Sequence, residues 1–478
     1  METRAPEPTS VPRRNGAADL PHVVIIGAGF AGLYAARALR RAPVRVTILD
    51  RRNHHLFQPL LYQVATGALN AADIANPIRS VLRRQKNARV LLAEAIRVDS
   101  AARRVEIDGG AIDYDYLIVA SGATHSYFGH ADWERLAPGL KTIDDALDIR
   151  RRVFFAYEVA EREPDPALRT EWLTFVVVGG GPTGVELAGA LSEIALHTLR
   201  RDFRSIDPTM SRVILIEGQD RVLPPYPAAL SEKARAQLVK LGVEVRTGVM
   251  VTGIDEHGVD LRAAASPASA ASAATERIPA RTVLWAAGVA ASPLARTLGA
   301  PLDRAGRVLV APDLSLPDHP EVFVVGDLAS VGQGDAMVPG VAPAAIQEGN
   351  HAARQISRAV AGQSREPFHY RDKGSLATIG RAAAVADFGR VKLSGFLAWL
   401  AWWAIHIFFL IGFRSRVLVM FGWIWSYLTF QRGARLITGE VGSLVRGTPS
   451  HEVPLPPAPV RDRAPLPPPT PVKKSAGG

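Results

Sequence analysis

The stretch HVVIIGAGFAGLYAARAL, residues 22–39, decides the fold. An apolar β-type run enters a glycine cluster and leaves it as an Ala- and Leu-rich helix, the opening of a βαβ unit. The cluster is Gly27-Ala28-Gly29-Phe30-Ala31-Gly32. Its spacing has a physical reason: Gly27 permits the tight strand-to-helix turn, Gly29 lets backbone approach a pyrophosphate, and Gly32 lets the helix pack closely on the sheet. The helix then points its free N–H groups and positive dipole end at the phosphates. The next strand, RVTILD, ends in Asp50, 18 residues past Gly32. A carboxylate there can accept both hydroxyls of an adenosine ribose.

The pattern recurs about 150 residues on as TFVVVGGGPTGVELAGAL, residues 174–191. Gly179, Gly181 and Gly184 take the three glycine roles, and the following strand, RVILIE, ends in Glu217. An acid at that position bonds the ribose 2′-OH of NADH and repels the 2′-phosphate of NADPH. Arg221 is either a 2′-phosphate partner or a solvated loop charge. Two dinucleotide sites in one chain predict a resident FAD and an exchanging NADH. VFVVGDLA, residues 322–329, fits this reading, because a strand running into Gly326-Asp327 can set a carboxylate against a ribityl chain. Between and after the two units, RVEIDGGAIDYDYLIVASGA and VEVRTGVMVTGIDEHGVDLR read as short strands with tight turns, the first at a Gly-Gly pair.

The 478 residues are 47% hydrophobic and 21% charged, which excludes a wholly disordered chain. There is no cysteine, so disulfides, thiolate metal sites and dithiol redox chemistry are excluded. No metal site is expected. Residues 1–20 are polar without an apolar h-region, and are expected to be a disordered tail rather than a secretory signal. Residues 447–478 are Pro-rich and are expected to be an extended tail. The low-complexity run 263–275 is expected at a hairpin tip.

The order of these motifs resembles the two-dinucleotide flavoprotein superfamily that includes the disulfide reductases. Where those carry a redox cysteine pair, this chain has FQPLLYQVATG, residues 57–67. The wording is similar to the cysteine-free type II NADH dehydrogenases, single-subunit NADH:quinone oxidoreductases that do not pump protons. The pieces that carry the resemblance are NHHLFQPLLYQVATGAL (53–69), GGGPTGVELAGAL (179–191), VLWAAGVAASP (283–293), APAAIQEG (342–349), DKGSLATIGRAAAVAD (372–387) and WSYLTFQRGARLITG (425–439).

The resemblance implies an α/β fold of two Rossmann-like domains, for FAD and NADH, with inserted antiparallel strands and a C-terminal membrane-anchoring helical segment. The expected boundaries are FAD domain 21–140 and 296–385, NADH domain 141–295, and anchor 386–446. FAD contacts are implied for Gly27, Gly29, Phe30, Ala31, Gly32, Asp50, Arg51, Gln58, Asp327 and Ala345. NADH contacts are implied for Gly179, Gly181, Thr183, Gly184, Glu186, Glu217 and Gly288. Glu186 is expected where nicotinamide meets flavin, although a carboxylate near a helix N-terminus is also favoured by the dipole alone. Quinone contacts are implied for Ala344, Gln347, Lys373 and Ile379, with Glu186, Gln347 and Lys373 as the catalytic set. The family's quinone motif, roughly Ala-Gln-x-Ala-x-Gln, reads Ala342-Pro343-Ala344-Ala345-Ile346-Gln347 here, so Gln347 matches and Pro343 replaces the first glutamine.

From Leu393 to Phe430 the chain is apolar and aromatic, and holds five of the eight tryptophans. About 20 apolar residues come first, then Arg414-Ser415-Arg416, then a shorter apolar stretch. A buried helix pair, a single membrane span and an in-plane monotopic anchor all compete; the aromatic and cationic mixture fits the anchor best. His406 reads as a proton relay or, better, as a packing histidine. The net charge of +10 concentrates here, with ten basic against three acidic residues over 371–446, which points to an anionic membrane face and not to nucleic acid. The resulting expectation is a homodimeric NADH:quinone oxidoreductase on the cytoplasmic face of the cell membrane. The rivals are an NADH-binding membrane sensor or scaffold and a reductase for a soluble acceptor.

Overall fold

The computed structural model describes residues 20–264, 275–334, 336–429 and 432–438. The expected N-terminal tail up to residue 19, the tip at 265–274 and the Pro-rich tail lie outside the described residues. The chain divides into two units, 1–438 and 439–478, the second also outside the described residues.

In chain order, the elements that place the site are β1 (His22–Ile26), α1 (Phe30–Ala38), β2 (Arg45–Asp50), α2 (Leu61–Ala65), α3 (Ile78–Leu82), β3 (Ala88–Leu92), β4 (Tyr116–Val119), α4 (Ile143–Arg162), β5 (Thr174–Val178), α5 (Pro182–Glu193), β6 (Arg212–Glu217), β7 (Val243–Thr247), β8 (Thr282–Trp285), β9 (Val322–Val324), α6 (Ala342–Val360), β10 (Ser375–Gly380), β11 (Ala383–Asp387), β12 (Lys392–Ser394), α7 (Phe396–Phe409) and α8 (Phe413–Thr429).

The first sheet is parallel, in the order β9-β4-β1-β2-β3. Its central strands read as continuous apolar runs because both faces are covered: Val23, Val24, Ile25, Leu117, Ile118 and Val119 are all fully buried. The second sheet is also parallel, in the order β7-β6-β5-β8. In each sheet the first strand has neighbours on both sides, so its C-terminal end opens at a switch point in strand order, where such folds bind ligands. Antiparallel strands sit as insertions. The hairpin Arg104–Ile107 with Gly110–Asp113 confirms the expected turn, but Gly110 already pairs with Ile107, so the tight corner is Asp108-Gly109.

The third sheet, β10-β11-β12, is an antiparallel meander capped by α7. Ala384 and Ala386 meet Ala398 of the helix, all fully buried, and these small side chains allow the close approach. This sheet corrects the expected boundary between residues 385 and 386, which would cut β11 and separate strands joined by hydrogen bonds through Ser394.

The long apolar stretch does not form one span. α7 stops at Phe409, Leu410 is extended, and Gly412 has φ +91° before α8 begins. Arg416, expected between two stretches, lies inside α8 and donates from Nε to Leu410 O at 2.7 Å and from Nη2 to Phe408 O at 2.8 Å, satisfying carbonyls at the end of α7. Among the described residues no helix is long and apolar enough to cross a membrane.

Candidate active site: two glycine turns and an aromatic cleft

The first turn is built as expected. At the end of β1, Gly27 has φ +93°, and a Cβ there would overlap the Ala120 carbonyl of β4's exit. Asp50 braces the turn: Oδ2 accepts from Ala28 N and Oδ1 from Arg52 N, both at 2.7 Å. Above Gly29 the space is open, which is the room a pyrophosphate needs. Phe30 meets His55 and Phe57 edge-on, at 5.2 and 5.8 Å. Ala31, Gly326 and Ala345 come together, since a Cβ on Gly326 would lie 3.4 Å from Ala31 and 3.6 Å from Ala345. Asp327 is 3.8 Å from Lys141 Nζ, and Gln58 Nε2 donates to Lys141 O at 3.1 Å, so Gln58 and Asp327 flank one lysine. Arg51 is not drawn in; it is exposed and lies 4.0 Å from Glu94. Buried Glu348 accepts from Gly326 N at 2.5 Å, and burial pushes its pKa up to about 7.

The second turn repeats the device. Gly179 has φ +107°, and Glu217 accepts from Gly180 N at 2.6 Å and Gln219 N at 2.8 Å. Gly181 and Thr183 open α5, Gly184 is buried beneath, and Gly288 O accepts from Ser126 N at 3.2 Å. Arg221 Nη2 donates to Pro224 O at 3.3 Å, as a loop charge would.

One turn into α5 stands Glu186, on the wall of a solvent-open cleft of about 770 Å³. The opposite walls are β10 and the tryptophans of α7 and α8. Desolvation raises the Glu186 pKa to about 8, opposed by a backbone hydrogen bond from Thr378, so the carboxyl is protonated at neutral pH. Ile379 shares this cleft. Its position is set by Gly189, where a Cβ would overlap the Ile379 carbonyl, so only glycine lets α5 lie on β10 this closely.

Gln347 and Lys373 are placed elsewhere, around the turn after residue 370. Gln347 Nε2 donates to Arg371 O at 3.0 Å and to Pro343 O at 3.1 Å, while Oε1 accepts from Arg371 N at 3.0 Å. Its amide is therefore a clamp on the backbone of Arg371. Lys373 Nζ lies 5.9 Å from the Phe409 ring centroid, at the end of α7. Ala344 is buried in the first turn of α6. His406 stacks on Trp402 at 4.3 Å, and Nδ1 donates to Trp402 O at 2.7 Å. Burial lowers its pKa to about 4, the behaviour of a packing residue.

The sequence reading missed the groups that close the cleft. Trp423 Nε1 donates to Gln63 Oε1 at 2.6 Å, and Gln63 Nε2 donates to Tyr62 Oη at 2.8 Å. Desolvation, and then the Glu186 carboxylate once it ionises in alkali, pushes the Tyr62 hydroxyl well above its ordinary pKa. Arg432, buried, pairs with Glu193 at 3.0 Å and donates to Thr66 O at 3.1 Å. Glu193 stands seven residues beyond Glu186, the same helix face, which is the one signal that pointed to it. Trp402 Nε1 is buried without a partner among the described residues, an available donor on the cleft wall.

The sequence profile of the pyridine nucleotide-disulphide oxidoreductases matches residues 21–349, and that of the NDH2 C-terminal domain matches residues 373–432. The type II NADH:quinone oxidoreductase Ndh of Mycobacterium tuberculosis is 48% identical over 91% of this chain and 93% of its own. The NdhA protein of the same organism is 46% identical over 92% and 93%. Among solved structures, NDH2 of Plasmodium falciparum in complex with NADH superposes with a TM-score of 0.78, covering 88% of this chain and 100% of that one; at 20% identity this speaks to the fold. By its sequence over nearly its whole length, with its C-terminal helices included, the chain belongs to the type II NADH:quinone oxidoreductase family.

Proposed function

We propose that this chain is a flavin-dependent NADH:quinone oxidoreductase that moves no charge across a membrane. The observation that carries it is the cleft in which Glu186, from the helix of one dinucleotide turn, faces the tryptophans of the C-terminal helices. The other turn fits FAD: the space above Gly29 is open, Gly27 frees the corner, and Asp50 stands at the ribose position. FAD, once bound, supplies hydride acceptance from the nicotinamide and two-electron delivery to a quinone.

The chain's own residues do the rest. Gly27, Gly29, Phe30, Ala31, Gly32 and Asp50 would hold the adenosine and pyrophosphate half, with Gln58, Asp327 and Ala345 toward the ribityl half. Gly179, Gly181, Thr183, Gly184, Glu217 and Gly288 would hold NADH. Glu217 excludes a 2′-phosphate by charge. Protonated Glu186 can donate a hydrogen bond or a proton into the cleft at neutral pH. Gln347 and Lys373 act on the other side, by fixing the turn after residue 370, with Ala344 and Ile379 as apolar walls. The domain assignment is FAD domain 21–140 with 296 onward, NADH domain 141–295, and anchor from 395.

The same reading makes α7 and α8 a monotopic anchor on the cytoplasmic face of the membrane, against anionic lipid. Support comes from Phe408, Phe413, Trp425 and Leu428, which are 69%, 83%, 60% and 71% exposed. A homodimer is part of the same proposal, and it is read by light scattering in detergent.

The test is spectroscopic. Protein purified in mild detergent should be yellow, bleach with NADH far faster than with NADPH, and recover colour on adding a soluble quinone. A colourless protein, or one that stays bleached with quinone present, overturns the proposal.

A further inference from the structure

The positive charge has a second centre, far in sequence from the C-terminal helices. Residues 37–45 and 79–89 hold nine Arg and Lys and no Asp or Glu. The fold brings the two stretches together. The end of α1 and the end of α3 enclose a solvent-open cleft of about 890 Å³, lined by Arg37, Arg40, Ser80, Arg83, Arg84 and Gln85. All four arginines are exposed, and none makes an ion pair within the described residues. Arg37 lies over the Tyr34 ring at 5.6 Å, which fixes one wall.

The floor of the cleft is built to tolerate an anion. A helix C-terminus ordinarily presents free carbonyls and the negative end of its dipole. Here two carbonyls at the end of α1 accept from side chains, Ala36 O and Leu39 O. Buried Gln85 donates from Nε2 to Ala36 O at 2.7 Å. Asn87 donates from Nδ2 to Leu39 O at 3.0 Å and to Val44 O at 3.1 Å. The charged groups lining the cleft are all guanidinium. Four such groups around one opening repel one another, and a polyanion relieves the repulsion. Guanidinium forks also match phosphate oxygens in a bidentate way that ammonium groups do not.

We propose that this cleft binds a phosphate-bearing polyanion, either a soluble oligophosphate or the headgroup of an anionic phospholipid. It lies at the opposite end of α1 from the Gly27–Gly32 turn, about 14 Å away by the rise of a nine-residue helix. Its occupant is therefore additional to the dinucleotide at the helix N-terminus and does not compete with it.

The test uses the full chain in detergent and one variant, R37Q/R40Q/R83Q/R84Q. An equal-charge control removes Lys233, Lys240, Arg304 and Arg354 as glutamines, all exposed and elsewhere. NADH oxidation with a soluble quinone should stay at the parent level in both, which reports folding. Calorimetric titration with inorganic triphosphate at fixed ionic strength forms one arm. Flotation with phosphatidylcholine vesicles containing phosphatidylglycerol forms the other. A tenfold or greater loss of triphosphate affinity in the cleft variant alone supports the site with a soluble source. Loss, in the cleft variant alone, of the gain in flotation that phosphatidylglycerol gives over phosphatidylcholine alone, with triphosphate not bound by either protein, supports it with lipid as the source. Equal losses in variant and control, or no loss in either, overturn it: the arginines would then be a solvated face.

Discussion

The two glycine turns share three glycines at the same spacing, Gly27, Gly29 and Gly32 against Gly179, Gly181 and Gly184, and two places past the last glycine one carries Tyr34 and the other Glu186. The backbone device is common to both. A positive-φ glycine ends the strand, and an acid at the end of the next strand accepts an N–H from inside the turn, Asp50 from Ala28 and Glu217 from Gly180. What differs is the neighbour of each helix. α1 is covered by α6 and its Tyr34 carries Arg37 at the surface, whereas α5 lies on β10 and presents Glu186 to a cleft. The turn is a holder, and the chemistry is assigned by the face of the helix behind it.

That comparison can be broken at the turn itself. Gly179→Val forces a positive-φ residue and a backbone overlap on the second turn only. Flavin absorbance should survive, while kcat/KM for NADH falls by at least about 100-fold, since nicotinamide positioning is lost. Loss of flavin together with activity would show that the two turns are not separable holders.

Next in size is the tie between α5 and the C-terminal segment, which α1 lacks. Arg432→Met leaves the partly buried Glu193 carboxylate with the Arg381 N–H but no counter-charge, which should cost up to about 3 kcal/mol in denaturant unfolding. Adding Glu193→Gln should return a large part of it. Independent, additive losses would mean that the pair is not coupled.

Glu186→Gln sharpens the contrast with Tyr34. Quinone reduction should fall by about 10²-fold if Glu186 acts as a proton donor, and the limb of the rate profile near pH 8 should flatten. Stability gives a second readout with a definite sign. A carboxyl raised to about 8 binds more protons folded than unfolded between its ordinary pKa and that value. Its contribution is therefore full in acid and is lost as pH rises through this window. The glutamine variant should show a melting temperature that falls less steeply from pH 5 to pH 8. Parallel curves would place the carboxyl in water.

The smallest effect compares the two acids. Glu217→Gln should lower the NADH-over-NADPH preference by about tenfold, in line with the loss of one charge repulsion and one hydrogen bond. Asp50→Asn should leave that ratio alone and shorten flavin retention on gel filtration. A shift of the ratio by Asp50→Asn would undo the assignment of resident and visitor.

Both turns were legible because their demands are local: glycine for a backbone conformation, an acid at a fixed distance along the chain. The cleft was not. Gln63 and Trp423 are 360 residues apart, Glu193 and Arg432 are 239 apart, and nothing in either segment names the other. Length alone gave about 20 apolar residues after Leu393, yet the first of them close β12, α7 stops at Phe409, and Gly412 turns the chain into a separate α8. Gln347 was expected as a catalytic and quinone-contacting residue, and nothing in its motif announces that its amide is spent on the backbone of Arg371. The four arginines of the basic cleft were hidden for the same reason as the tryptophans, being split over two stretches that only the fold unites.

The long separation of Glu193 from Arg432 also sets an order of events during synthesis. At roughly 5–20 residues per second, a ribosome takes about 12–50 s to extend the chain from one partner to the other. Both dinucleotide turns are complete well before then, while the cleft waits for its last wall. A nascent chain is thus equipped to take up its nucleotides before it has an enclosed place to use them.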